Sequence, residues 1–157
     1  MLNLQDLPQQ PANGLQARAG GAEHLLSEGG PIVQGLRKAL PHIMAIYAFG
    51  SQVAGTAGAD SDLDLAVLVP GYAAPLELWN LSHHLAGIAG RPVDLLDLRA
   101  ASTVMQYQVL MHGKRLWKQG LDANLFECFV MGEKLSLDEA RAGVLADIAK
   151  SGRVYGG

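Results

Sequence analysis

The residues best equipped for chemistry lie between Gly50 and Val69, in the stretch GSQVAGTAGADSDLDLAVLV. Asp62 and Asp64 open a segment, residues 62–69, that reads as a β-strand. Residues two apart in a strand point to one face. The two carboxylates therefore share a face, and Leu63, Leu65, Val67 and Val69 share the other, which a hydrophobic core would take. Carboxylates held side by side repel unless a cation sits between them or one stays protonated. Mg²⁺ suits such a pair, because it keeps several waters and takes one or two carboxylates together with substrate phosphates. Just upstream, Gly50-Ser51 follows the apolar run IMAIYAF, read as a buried strand. Where a strand turns into a helix, a glycine lets backbone approach a ligand. The helix start offers unpaired N–H groups to an anion, with the Ser51 hydroxyl as one more donor. An anion cradle beside a metal-binding carboxylate pair is the minimum for phosphoryl or nucleotidyl transfer.

A third carboxylate would complete a two-metal site. The next strand, residues 92–98, offers Asp94 and Asp97, which have opposite parity, so only one can face the metals. Val93 and Leu95 form the core face, which puts Asp94 with the other acids. Asp97, at the strand's end, suits a turn or the cap of the helix starting near Ser102. Two other readings of the glycines and acids fail on their own terms. A calcium loop opened by Asp60, Asp62 and Asp64 would need glycine where Leu65 stands and glutamate where Gly71 stands. A P-loop would need a lysine after the glycines.

The elements that must hold these residues follow from periodicity. Pro31 suits the first turn of a helix running to about Leu40, and Pro75 opens a second helix in which Leu78, Leu81, Leu85 and Ile88 recur at helical spacing. Residues 102–112 read as helix, 114–117 as a short edge strand, and 122–150 as helix. Gly132, or the helix-start pattern from Ser136 to Glu139, is expected to break that last helix in two. Strands alternating with helices predict an α/β (α+β) domain with a small mixed sheet flanked by helices and a helical C-terminal tail. Residues 1–30, with five glycines and two prolines, read as a loose N-terminal extension; a short helix over 15–28 is the most they offer. The division expected is a flexible extension over 1–30, a catalytic domain over 31–120 and a helical tail over 121–157.

Composition narrows the function. The chain of 157 residues is 49% hydrophobic and 17% charged, with a net charge of −3, which makes one ordinary domain. That balance disfavours duplex DNA as a partner, since neutralising many phosphates takes a surplus of Lys and Arg. A single cysteine, Cys128, excludes an intrachain disulfide, and no run approaches the ~18 apolar residues of a membrane helix, so a cytoplasmic protein is expected. Cys128, among Phe126, Phe129 and Val130, reads as a packed thiol, and Trp79 and Trp117 as core residues. His83 and His84 are adjacent on a helix and do not share a face as i,i+4 ligands would. The tail carries more apolar side chains, Leu125 to Ile148, than a small sheet can cover.

Gly-Ser, ten residues, Asp-Leu-Asp and a later lone aspartate resemble the nucleotidyltransferase superfamily that includes polymerase β. The stretches IYAFGSQVAGTAGADSDLDLAVLV and GRPVDLLDLRAASTVMQYQVLMHGKRLW, followed by a helical tail, resemble its minimal members of the MntA antitoxin type. The likeness spans residues 43–117 and does not reach residues 1–30. It implies that Gly50 and Ser51 hold the ATP triphosphate, that Asp62 and Asp64 bridge two Mg²⁺ ions, and that Asp94 binds the catalytic ion near the attacking hydroxyl. It also implies the acceptor, a tyrosine on a HEPN-domain toxin of the HepT type, bound in a hetero-oligomeric complex and silenced by AMP. Two alternatives stand beside it: an idle antitoxin that neutralises by binding alone, and transfer to a small molecule such as an aminoglycoside. One departure is plain. No Lys or Arg occurs between Lys38 and Arg91, and Gln52, Val53 and Ala54 stand where many relatives place an arginine. Triphosphate charge must then be met by metal, backbone N–H groups, or Arg91, Arg99, Lys114 or Arg115 reaching back.

Overall fold

A computed structural model describes residues 23–50 and 62–151. Within them, four strands form one mixed sheet in the order β3-β2-β1-β4. These are β1 (Ala45–Phe49), β2 (Leu63–Leu68), β3 (Val93–Asp97) and β4 (Lys114–Lys118). β1 runs antiparallel to both β2 and β4, and β2 runs parallel to β3. A parallel pair needs a crossover, and the helix over Pro75–Ala89 supplies it. The alternation expected of an α/β domain is thus realised, with β4 as the short edge strand.

Helix α1 (Pro31–Ala39) and helix α2 (Pro75–Ala89) cover one face of the sheet. Both begin with proline in the first turn, where its missing N–H is not needed. Helix α2 ends at Gly90, whose left-handed backbone closes the last turn. Leu78, Leu81 and Leu85 form its buried stripe against Leu63, Leu65, Val67 and Val93. The odd-numbered side of β2 thus faces the core assigned to it. On the opposite face, helix α3 (Thr103–His112), N-capped by Ser102 Oγ accepting from Met105 N, joins helix α4 (Asp122–Ser151) over Tyr47, Ala66, Leu68 and Leu98. Both faces of the sheet are therefore covered, except at one end.

Several expectations are corrected. Helix α4 runs unbroken for 30 residues. Glycine inside a helix costs only about 1 kcal/mol, and Lys134 Nζ reaches Asp138 Oδ1 at 2.7 Å across the expected break. Ala123, Phe126 and Val130 bury one side of its first half, while Cys128, between them, is exposed rather than packed. Trp79 is 60% exposed on the outer side of α2, not in the core; Trp117 does pack, beneath the Arg37 guanidinium. Residues 1–22, most of the expected N-terminal extension and of its short helix, lie outside the described residues; Leu25 and Leu26 pack against the core. No helix among the described residues is long and apolar enough to cross a membrane.

Candidate active site

The exposed end of the sheet is where β1 finishes and where β2 and β3 begin. Register makes Phe49 the partner of Asp64, and Asp64 the partner of Asp94, so one row crosses β1, β2 and β3. Partners in adjacent strands point to the same face. The structure therefore brings Asp64 and Asp94 together, as parity predicted. The face is the one that α3 and α4 cover further along the strands. Asp64 is half-buried, Asp94 is exposed on the edge strand, and Asp62 is exposed just before β2 begins. Ser51 lies outside the described residues.

Gly50 follows β1 directly with a positive φ of 75°, a left-handed conformation that ordinary residues avoid at a cost of about 1–2 kcal/mol. A Cβ built on Gly50 would run into the Asp64 carboxylate. Only a residue without a side chain lets β1 turn this close to the acid, and the turn keeps backbone and carboxylate against one space. Burial, then the charge of Asp94, then that of Asp62, raise the Asp64 carboxyl above its ordinary value. Each cause disfavours the ionised form. The three carboxylates are near enough to feel one another, yet among the described residues no three acidic, imidazole or thiol groups close into a ligand cage. An oxygen-only donor set with mutual repulsion fits a hard cation that completes its shell with water and phosphate. Gly50, Asp62, Asp64 and Asp94 thus fit magnesium beside a phosphate chain.

Asp97 plays the other part foreseen for it. Its carboxylate accepts from Ala73 N at 2.8 Å and Arg99 N at 3.1 Å, tying the ends of β2 and β3 together, while Ser102 alone caps α3. Of the cations that were candidates to reach the phosphates, two are engaged elsewhere. Arg99 donates to Val69 O and lies over the Phe126 ring, and Arg115 pairs with Glu127 at 2.9 Å.

Beyond Asp94, two clefts of about 500 and 400 Å³ open along the β3 edge, both lined by Trp79, Ser82 and Asp94. The sequence reading missed them by placing Trp79 inside. The stripe Leu78, Leu81, Leu85 carried the signal, since Trp79 and His83, i and i+4, form the adjoining stripe that faces outward.

The sequence profile of the polymerase β nucleotidyltransferase family matches residues 32–120. The chain belongs to that family. It is also 37% identical over 117 residues to the protein adenylyltransferase MntA of Shewanella oneidensis, covering 74% of this chain and 84% of that one. Two solved structures extend the likeness. A toxin–antitoxin crystal structure with AMP-PNP matches at 36% identity and a TM-score of 0.66, over 75% of this chain and 95% of the other. The tri-AMPylated Shewanella oneidensis HEPN toxin in complex with MNT antitoxin matches at 34% identity and a TM-score of 0.61, over 75% and 92%. The resemblance drawn from Gly50-Ser51 and Asp62-Leu63-Asp64 is thereby borne out for the family and for its MntA branch.

Proposed function

We propose that this chain is an antitoxin that transfers AMP from ATP to a tyrosine of a cognate HEPN-domain ribonuclease toxin of the HepT type. The observation that carries the reading is the row of Asp64 and Asp94 beside the left-handed Gly50, in a chain 37% identical to MntA. Gly50 and Ser51 take the triphosphate, whose negative oxygens suit backbone N–H groups and a hydroxyl. Asp62, Asp64 and Asp94 would hold two Mg²⁺ ions, which when bound neutralise charge on the entering and leaving oxygens. The tyrosine oxygen forms its bond to the α-phosphorus as the bond to the bridging oxygen of the β-phosphate breaks. Pyrophosphate leaves, and the phenolic proton passes to the carboxylate of Asp94, at the outer end of the row.

Residues 121–157 serve the same partner. Leu125, Phe129, Leu135, Val144 and Leu145 on α4, and Leu121 just before it, are all more than half exposed, an apolar surface of the kind that marks a protein interface. We assign it to the toxin, in a hetero-oligomeric cytoplasmic complex, with residues 31–120 as the catalytic domain.

The test is the intact mass of a cognate HEPN-domain protein, to be sought in the neighbouring reading frame, after incubation with this chain, ATP and Mg²⁺. Added adenylyl groups are expected with the wild type and none with Asp64→Asn, while both still form the complex. A bound toxin of unchanged mass with the wild type would turn the reading to neutralisation by binding alone.

A further inference from the structure

The sheet order gives the proposed reaction a direction. Gly50 ends β1, Asp64 stands on β2 and Asp94 on β3, so the site runs from triphosphate cradle to outer carboxylate along one row. In phosphoryl transfer the attacking and leaving oxygens stand roughly in line on opposite sides of phosphorus. With the leaving pyrophosphate on the β1 side, the attacking hydroxyl must come from beyond β3. No further strand lies there among the described residues. What lies there is the pair of clefts that share Trp79, Ser82 and Asp94.

The walls of these clefts are suited to polypeptide rather than phosphate. Leu78, Leu95 and Pro75 contribute apolar surface, Ser82 a hydroxyl, and among the described residues no Lys or Arg lines either cleft. Trp79 stands between them, 60% exposed yet held in place. Its ring meets the His83 ring at 4.2 Å between centroids, and His83 Nδ1 lies 2.8 Å from Trp79 O. A large aromatic side chain immobilised before binding loses little entropy on contact, and tryptophan is among the commonest binding hot spots.

We propose that the β3-edge cleft receives the segment of the partner protein that carries the acceptor tyrosine, with Trp79 as the anchor that selects it. The tyrosine presents its hydroxyl to Asp94 while the residues flanking it lie against Trp79 and Leu78. This rests on the nucleotidyl-transfer reading and adds to it where the protein substrate docks.

The experiment measures initial rates of adenylylation of the cognate HEPN-domain protein by intact mass, varying toxin at saturating ATP and ATP at saturating toxin. Trp79→Ala should raise KM for the toxin by about 30-fold, the equivalent of a 2 kcal/mol hot spot, and leave KM for ATP within about twofold of wild type. Trp79→Phe, which keeps a ring, should recover most of the loss. In Trp117→Phe, where Trp79 is the remaining indole of the two, its emission should shift to the blue when toxin binds. A rise in KM for ATP instead would mean that the cleft stacks the nucleobase, and it would overturn the proposal. So would unchanged constants and unchanged emission in a system where the wild type transfers AMP. A wild type that transfers none is a different result, and it refutes the transfer reading and this inference together.

Discussion

Replacing Gly50 by alanine tests the local geometry on which the site depends. Two costs are legible. An L-residue held at φ 75° costs about 1–2 kcal/mol. The added methyl also meets the Asp64 carboxylate, which must swing aside; leaving a favoured rotamer costs about 0.5–1.5 kcal/mol. Together these give roughly 1.5–3.5 kcal/mol, or a fall in Tm of about 3–14 °C for a chain of this size. Transfer activity should fall far more than stability, because the displaced group is the central acid of the row. A double-mutant cycle separates the two costs: in an Asp64→Ala background the obstruction is gone, so Gly50→Ala should cost only the backbone part. The assay is urea denaturation of the four proteins, with a coupling energy of about 0.5–1.5 kcal/mol expected. If Gly50→Ala cost the same in both backgrounds, glycine would be there for its backbone alone, and the contact with Asp64 would have no energetic weight.

The raised Asp64 carboxyl makes a pH prediction of opposite sign to the usual one for acids. Burial, Asp94 and Asp62 favour its protonated form in the folded state, so ionised Asp64 destabilises the fold above its raised folded value. That penalty fades as pH falls towards its ordinary unfolded value near 4. In EDTA, Asp64→Asn should therefore melt above wild type at pH 7, with the gap closing as pH falls; a gap independent of pH would refute it. Glu127→Ala should cost about 1–3 kcal/mol in urea, because Tyr47, buried under α4, donates its hydroxyl to Glu127 Oε1 at 2.8 Å and would lose its acceptor; a cost below about 0.5 kcal/mol would deny the network weight. Calorimetric titration should find ATP binding weaker to the free chain than to its complex with toxin, and equal affinities would remove the idea that the partner supplies cations.

What could be read from sequence was what repeats at short range. The strand period put Asp62, Asp64 and Asp94 on one face, and β2 and β3 keep that parity for Asp64 and Asp94, while Asp62 precedes β2. Pro31 and Pro75 marked the starts of helices because each acts through its own backbone. Errors arose where the outcome depended on which side of a helix meets a neighbour. Cys128 and Trp79 each sit one or two places from buried residues, so their apolar surroundings in sequence became solvent in space. Helix α4 runs on through the helix-start pattern at Ser136 to Glu139, with a Lys134–Asp138 pair across it. The contact of Tyr47 with Glu127, 80 residues away, has no local signature.

The distribution of charge ties the site to its partner more firmly than any single residue does. Three carboxylates gather where the proposed function puts the triphosphate, and the nearest stretch of chain, from Lys38 to Arg91, carries no cation between its ends. Of the basic residues that fold back to the sheet, Arg99 braces β3 against α4, Arg115 holds Glu127 and Lys118 holds Asn124, whereas Lys114 starts β4 opposite Ala48, near the end of β1. Coulomb's law makes a bare site of this sign repel ATP, and exposed cations beyond a Debye length of about 8 Å do little to offset it. Metal can cancel part of that charge. The rest would come from Lys114 or Arg91, from outside the described residues or, on the proposed reading, from a ribonuclease partner that grips a polyanion and so bears cations. On the proposed reading, an enzyme so arranged would bind its nucleotide best with its protein substrate already docked, which would confine adenylylation to toxin in hand.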